Sequence, residues 1–546
     1  MDHQNLEKGE KSDMPARDVV NKADSVAMGE LGDQNDISPD AAKLIAMGYK
    51  PQMKRQMSTL QLVGVAFMVT ASWLGVTGGF SIGVVIGGSA SLVYGLIIVA
   101  VINIFIVTAL SELVSAMPNA GGQYYWVTKL APQKLARVSA YFTGICNLSG
   151  GILASAGATV LMGHMVLGVA KLAHPDYVIQ QWHAWMIGVA FNVSTCAANI
   201  NRENAARSVS IGMFFNILIC AAIVVVIPAV STSHTDASFI FASVENISGW
   251  NNGVSFLVGL INANYSFGLI DTAVHMCEEI TEPEKNVPKA LFLTVAIGFF
   301  TAWPLAVLLM YCMTDFEAIV NTETGLPLLE LFYLALRQSK AAAIVMFVML
   351  IIAWTFALVA LHNYQSRICW SFARDNGLPF SKFWSKVHPT LNVPLEALVG
   401  CTTLSAIVSL LCVASSTAFN SLAAGVIIFP ALTYTMPSAY SLLPRNKDVK
   451  GPFNAGVFGT ISKVVTILFS LFATIIYSFP NFMPATGSNM NYVSAIIATI
   501  LIGASFDWLF RARCNCQEPV ARAGLLIELS ISRARLMSGV VHNCFS

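Results

Sequence analysis

Apolar positions along this chain neither alternate with the period of a strand nor form narrow helical stripes; they gather into long continuous runs separated by short polar segments. Wound as a helix, about twenty apolar residues match the thickness of a bilayer's hydrocarbon core. Such runs lie near 61–87, 89–112, 136–163, 184–200, 209–230 and 254–276. Six more lie near 290–312, 341–363, 395–415, 421–443, 461–480 and 492–510. They predict an all-α integral membrane protein of about twelve transmembrane helices. A membrane β-barrel does not fit, because its strands need short segments of alternating polarity. The chain divides into a polar N-terminal tail over 1–56, a twelve-helix domain over 57–510 and a C-terminal tail over 511–546.

Composition supports this pattern and removes the soluble alternative. Hydrophobic residues make up 55% and charged residues 11%, against roughly 25% charged in soluble domains. The net charge of +1 is uninformative, but its placement is not. If twelve runs alternate in direction from an inside N-terminus, 28 of the 31 Lys and Arg fall on the inner side. Only Lys171, Arg337 and Lys340 fall outside. The positive-inside rule then places both termini in the cytoplasm. A multi-pass protein of the plasma membrane is expected, with a vacuolar or other internal membrane as the alternative. No basic tract points to nucleic acid. The polar start of the chain is not a cleavable signal peptide, so the first span serves as its own insertion signal.

Residues 1 to about 42 have the composition of a disordered tail, in which Lys8 and Lys11 are candidate regulatory lysines. The following segment, AAKLIAMGYKPQMKRQMSTLQ, mixes apolar and basic residues as an interfacial helix does. Asn246-Ile-Ser248 is a glycosylation acceptor in an outer loop, whereas the sequons at Asn147 and Asn192 fall within spans. The outer segment 314–340 carries Glu317, Glu323 and Glu330, too polar to cross, and is expected to hold a short helix. The eleven Cys show no paired spacing; Cys514 and Cys516, past the last span, are either palmitoylation sites or plain cytosolic thiols.

Two spans look interrupted. The first contains Thr70-Ala-Ser72-Trp73-Leu74-Gly75-Val-Thr77-Gly78-Gly79, and the sixth Asn262-Ala-Asn264-Tyr265-Ser266-Phe267-Gly268-Leu-Ile-Asp271-Thr272. Unwound backbone at membrane depth is tolerated only where it lines a cavity or is buried in protein. Inverted-repeat transporters place such breaks in corresponding spans of their two halves, and spans one and six begin two possible five-helix repeats. The alternative is that these small residues merely allow close helix packing. Asp271 is a mid-span carboxylate, which costs about 2.5–3.5 kcal/mol to insert and so points to function. It can pair with a substrate ammonium or take up a proton. His275 lies one helical turn on and can share that proton, or the two can form a structural pair. Trp73, Tyr265 and Phe267 are candidates to cage an organic cation, and Glu112 reads as an interfacial carboxylate. No HExxH, P-loop or Cys/His cluster occurs, so no enzyme activity, cofactor or metal is expected.

Four further stretches carry a resemblance: GYKPQMKR before span one, SELVSAMPNAGGQYYW after span two, MCEEITEPEKNVPKA after span six and SRICWSFARDNGLPF after span eight. In this order, from Gly48 to Arg513, the chain resembles the amino acid-polyamine-organocation superfamily, and within it the fungal amino acid/choline (GABA permease-like) family. The resemblance implies a 5+5 inverted-repeat core with two peripheral helices. It implies a substrate site at Ser72, Trp73, Leu74, Gly75, Tyr265, Ser266, Phe267 and Gly268, where N–H groups of the first break receive a carboxylate and carbonyls of the second an amine. The expected cargo is an amino acid or small amine such as GABA or choline, moved by alternating access. Asp271 and His275 are the candidates for proton coupling, with sodium as the alternative ion. A specialised nitrogen-containing metabolite, imported or exported, is the other cargo such a scaffold serves. Relatives that replace sodium with a span-five Lys offer no guide, since Asn216 is the most polar interior residue of that span here. The ending after Arg513, with an apolar stretch too short to span, departs from the family's polar tail.

Overall fold

A computed structural model describes residues 38–243, 246–487 and 489–515. It separates Met1–Pro51 with Leu526–Ser546 from a main unit, Gln52–Leu525. The tail lysines Lys8 and Lys11, the thiol Cys516 and the apolar C-terminal stretch lie outside the described residues. Among the described residues of the first unit is the helix Pro39–Ala46, whose start is capped by the Ser38 hydroxyl. Gly48, at φ 91°, and Pro51 end it. The interfacial helix expected from the basic segment is therefore confined to that segment's beginning.

The main unit is helical, and no strand occurs among its described residues. Among those described residues, eleven helical segments are long and apolar enough to cross a membrane. The remaining run, near 184–200, forms an 18-residue helix, Gln181–Ala198, about 27 Å long. Gln181, His183 and Asn192 dilute its apolarity. Asn192 meets that cost inside the bundle, donating to the Thr402 carbonyl (3.2 Å) and contacting His362 Nε2 (2.7 Å).

The two interrupted spans have different backbones. In the first, helix Thr59–Thr70 starts on a Ser58 capping box and stops at Ala71, which is left-handed at φ 45°, ψ 45°. Helix resumes at Ser72–Gly78 and passes Gly79 with only a slight distortion. The following helix, Phe80–Ala116, is divided at Gly88 (φ 63°, ψ −165°), a conformation open essentially to glycine alone. Gly88 is thus the turn between the first two spans, where one apolar run ends at 87 and the next begins at 89. In the sixth span, helix Asn252–Tyr265 gives way at Ser266, Leu269 turns left-handed at φ 56°, and a 3-10 helix covers Ile270–Met276.

The third span (Gln133–Ala173) packs against both the eighth (Lys340–Arg374) and the tenth (Ala418–Ser441) beside these breaks. Spans eleven and twelve are peripheral, with Leu468, Leu471, Ile502 and Phe506 exposed. The segment 314–340 folds as two short helices, Phe316–Val320 and Pro327–Ala335, in place of a span.

Candidate functional site

The two breaks touch. A Cβ on Gly75 would lie 2.7 Å from Ser266 Cα and 2.8 Å from the Tyr265 carbonyl carbon. Only glycine lets the two backbones come this close. Beside the contact is a cavity of about 60 Å³, lined from the first break by Ala71 and Gly75 and from the second by Tyr265, Gly268 and Leu269. Trp354 of the eighth span and Phe419 of the tenth complete an aromatic trio with Tyr265, and no charged side chain reaches the lining. Of the expected substrate residues, Gly75, Tyr265 and Gly268 therefore border the cavity. Ser72, Trp73, Leu74, Ser266 and Phe267 are buried outside it. Ser72 and Phe267 instead face Gly298 of the seventh span, whose missing Cβ would meet both.

Gly78, Leu161 and Phe419 also line a second cavity of about 220 Å³ that continues toward Gln181 and Leu326. A third, of about 150 Å³, lies at the opposite, charged end beside Arg202, Glu279 and Arg367, and shares no lining residue with the central one. Ion pairs close that end. Glu279 binds Arg367 at 3.0 Å and lies 3.9 Å from Arg202, while Arg374 forms a bidentate pair with Glu278 at 2.8 and 2.9 Å. Arg55 donates to the carbonyls of Cys277 and Ile280, tying the chain before span one to the chain after span six. Tyr124 donates to Asp375 at 2.9 Å. Burial, and then the Asp375 charge, push that phenol well above its ordinary range, so it stays protonated.

Asp271 is fully buried away from the cavity, in a knot of side chains from four spans and one connecting helix. Its Oδ2 accepts from Gln123 Nε2 (2.7 Å), and its Oδ1 accepts from the Tyr434 hydroxyl (2.9 Å) and the Tyr364 hydroxyl (3.3 Å). His275 Nε2 is 3.2 Å from Oδ2, and its Nδ1 is 2.8 Å from the Ala120 carbonyl. A carbonyl only accepts, so Nδ1 carries a proton. Asn147 closes the knot, donating to Gln123 Oε1 (2.9 Å) and contacting His275 Nε2 (3.1 Å).

Several residues that sequence reasoning left out matter here. Gln123 lies within the motif SELVSAMPNAGGQYYW, so its location was available; Asn147 was visible only as a sequon within a span. Trp354 and Tyr434 sit within apolar runs, and Phe419 and Tyr364 at the polar edges of such runs, away from either break in sequence. Asn216 donates to the Ala353 carbonyl (3.2 Å), joining spans five and eight. Glu112 pairs with Lys463 at 2.9 Å, anchoring the foot of span eleven. Asn246 is half-buried, and its amide donates to the Trp250 carbonyl (2.8 Å) and accepts from Ser248.

Comparison with known proteins bears on the family of the chain. The family model described as amino acid permease matches residues 60–502. The chain is 35% identical over 491 residues to a Saccharomyces cerevisiae protein named choline transporter, covering 89% of this chain and 87% of that one. It is 30% identical to the GABA-specific permease of the same yeast, covering 84% and 83% of the two chains. It is also 30% identical to a swainsonine transporter of Arthroderma benhamiae, covering 91% and 96%.

Proposed function

We propose that this chain, which belongs to the amino acid permease family and is a membrane transporter rather than an enzyme, carries a small amine or amino acid by proton-coupled alternating access. The observation that carries the reading is the uncharged aromatic cavity where the two broken helices meet. Tyr265, Trp354 and Phe419 offer ring faces to a cationic nitrogen, an attraction of about 0.5–2 kcal/mol per favourable ring. The first N–H groups of the half-helix beginning at Ser72 have no side-chain cap and are suited to a carboxylate where the cargo has one. Carbonyls of the second break, from Tyr265 to Gly268, suit the amine.

At about 60 Å³ the cavity admits a few waters, so loading requires Trp354 or Phe419 to move. The shared lining with the second cavity supports a conformer whose approach route comes from the end opposite the ion pairs. With the charged end cytoplasmic, as the distribution of Lys and Arg favours, that approach is from outside, and the ion pairs form the inner closure. The plasma membrane is the setting in which this import makes sense. Asp271 and His275 then act by carrying the coupling proton, because the buried knot keeps Asp271 from the cargo.

The relatives support a choline-like or GABA-like cargo first. The swainsonine transporter supports a second reading, a specialised metabolite carried in either direction on the same scaffold. Purified protein in proteoliposomes should accumulate labelled choline or GABA when an inward proton gradient is imposed. Absence of saturable flux for choline, GABA and amino acids alike would overturn the cargo class, and flux indifferent to the gradient would overturn the coupling. In the native membrane a glycan at Asn246 should give an endoglycosidase-sensitive band that Asn246→Gln lacks.

A further inference from the structure

At the charged end, the start of span seven and the chain leading into span eleven enclose a groove of about 540 Å³ that none of the transport machinery uses. Its composition changes along its length. Lys285 and Lys289 stand at the mouth, both exposed, one helical turn apart on the same face. Four residues further on comes Leu293, 47% exposed, and the same face continues to Phe300, 73% exposed. Opposite them, Phe453 packs at a tilt against Phe292, with ring centroids 5.8 Å apart. Glu284, itself buried, contributes a carboxylate to the wall. One helix face thus runs from paired ammonium groups to bare apolar surface, which is the polarity of a lipid molecule standing at the bilayer interface.

We infer that this groove is a binding site for one aminophospholipid of the surrounding bilayer. Its phosphate lies between Lys285 and Lys289, its primary ammonium turns to Glu284, and an acyl chain follows Leu293 toward Phe300. The charge pattern selects the headgroup. Two lysines favour a phosphate by electrostatic attraction at the membrane surface. The carboxylate penalises a second negative charge and rewards an ammonium that can donate hydrogen bonds, which a quaternary choline headgroup cannot do. Among the described residues, Lys285 makes an exposed contact with Glu282 at 3.2 Å, a pair worth little in water and easily exchanged for a phosphate.

The test is lipid retention by the full-length protein in vesicles of equal phosphatidylcholine, phosphatidylethanolamine and phosphatidylglycerol, released into native mass spectrometry. One phosphatidylethanolamine per protein should be retained. Lys285→Gln with Lys289→Gln should lower that retention at least about tenfold, while the melting temperature in pure phosphatidylcholine stays at the wild-type value. Glu284→Gln should keep a bound phospholipid but lose the preference for ethanolamine over choline. Inorganic phosphate at about 10 mM should not displace the lipid, since the acyl chain supplies part of the affinity. Undiminished retention in the double lysine variant would overturn the site. Equal retention of phosphatidylglycerol and phosphatidylethanolamine by the wild type would overturn the headgroup assignment.

Discussion

The cavity and the polar knot are built on the same unwound stretch, with Leu269 facing one and Asp271 held in the other, yet they are opposites. The cavity has rings and close-lying backbone but no charged side chain. The knot has a carboxylate whose oxygens accept from Gln123, Tyr364 and Tyr434. A weakly committed surface suits cargo that must come and go. A saturated one suits a proton, which can be exchanged without any side chain leaving its place. On the proposed reading, recognition and coupling are separate jobs joined by a few residues of backbone.

The contrast can be attacked at four points. The largest effect is expected where the breaks meet. Gly75→Val would drive a side chain into the Ser266 backbone, and overpacking of this kind costs about 1–3 kcal/mol or more. Uptake should disappear and folded yield should fall, with Gly75→Ala intermediate; full uptake by the valine variant would mean the contact is not required. Next, Asp271→Asn should reduce concentrative accumulation at least about tenfold while counterflow exchange persists within about twofold. If both fell together, Asp271 would belong to the architecture and the division of labour would fail.

Trp354→Ala probes the other side of the contrast. Its KM for a quaternary amine should rise about tenfold, the value of one good ring contact, with a smaller change for a zwitterion held also by backbone N–H groups. An equal rise for both cargoes would remove the ring from recognition. The mildest effect belongs to Tyr434→Phe, which deletes one donor to Asp271. A loss of about 1–2 kcal/mol in stability should appear as a lower melting temperature with KM unchanged. A shifted KM would show that the knot reaches the cargo after all.

Much of this architecture was legible from hydrophobic runs, because bilayer thickness leaves helices little freedom of length. Even the turn at Gly88 falls between two runs. The approximate positions of the breaks were legible from small and polar residues, but their pivots were not. Those pivots are Ala71 and Leu269, ordinary residues forced into left-handed geometry by their surroundings. Rings near a break in sequence were also a poor guide to rings near it in space. Trp73 and Phe267 pack away from the cavity, and Trp354 and Phe419 arrive from spans far along the chain. Asp271 announced itself by its cost in a span, whereas its partners Tyr364 and Tyr434 could be found only once the bundle was assembled.

The ion pairs at the charged end have a consequence for the rhythm of transport. Glu278 and Arg374 are 3% and 8% exposed while that end is closed. Two unit charges about 4 Å apart attract by about 4 kcal/mol near a protein surface and by about 1 kcal/mol in water. Opening wets them, and dissolved ions then compete for each partner over a screening length of about 8 Å at 0.15 M. Release on that side should therefore quicken as ionic strength rises, while loading through the uncharged route remains indifferent to it. The carrier would then run at a pace set partly by the salt content of the compartment it empties into.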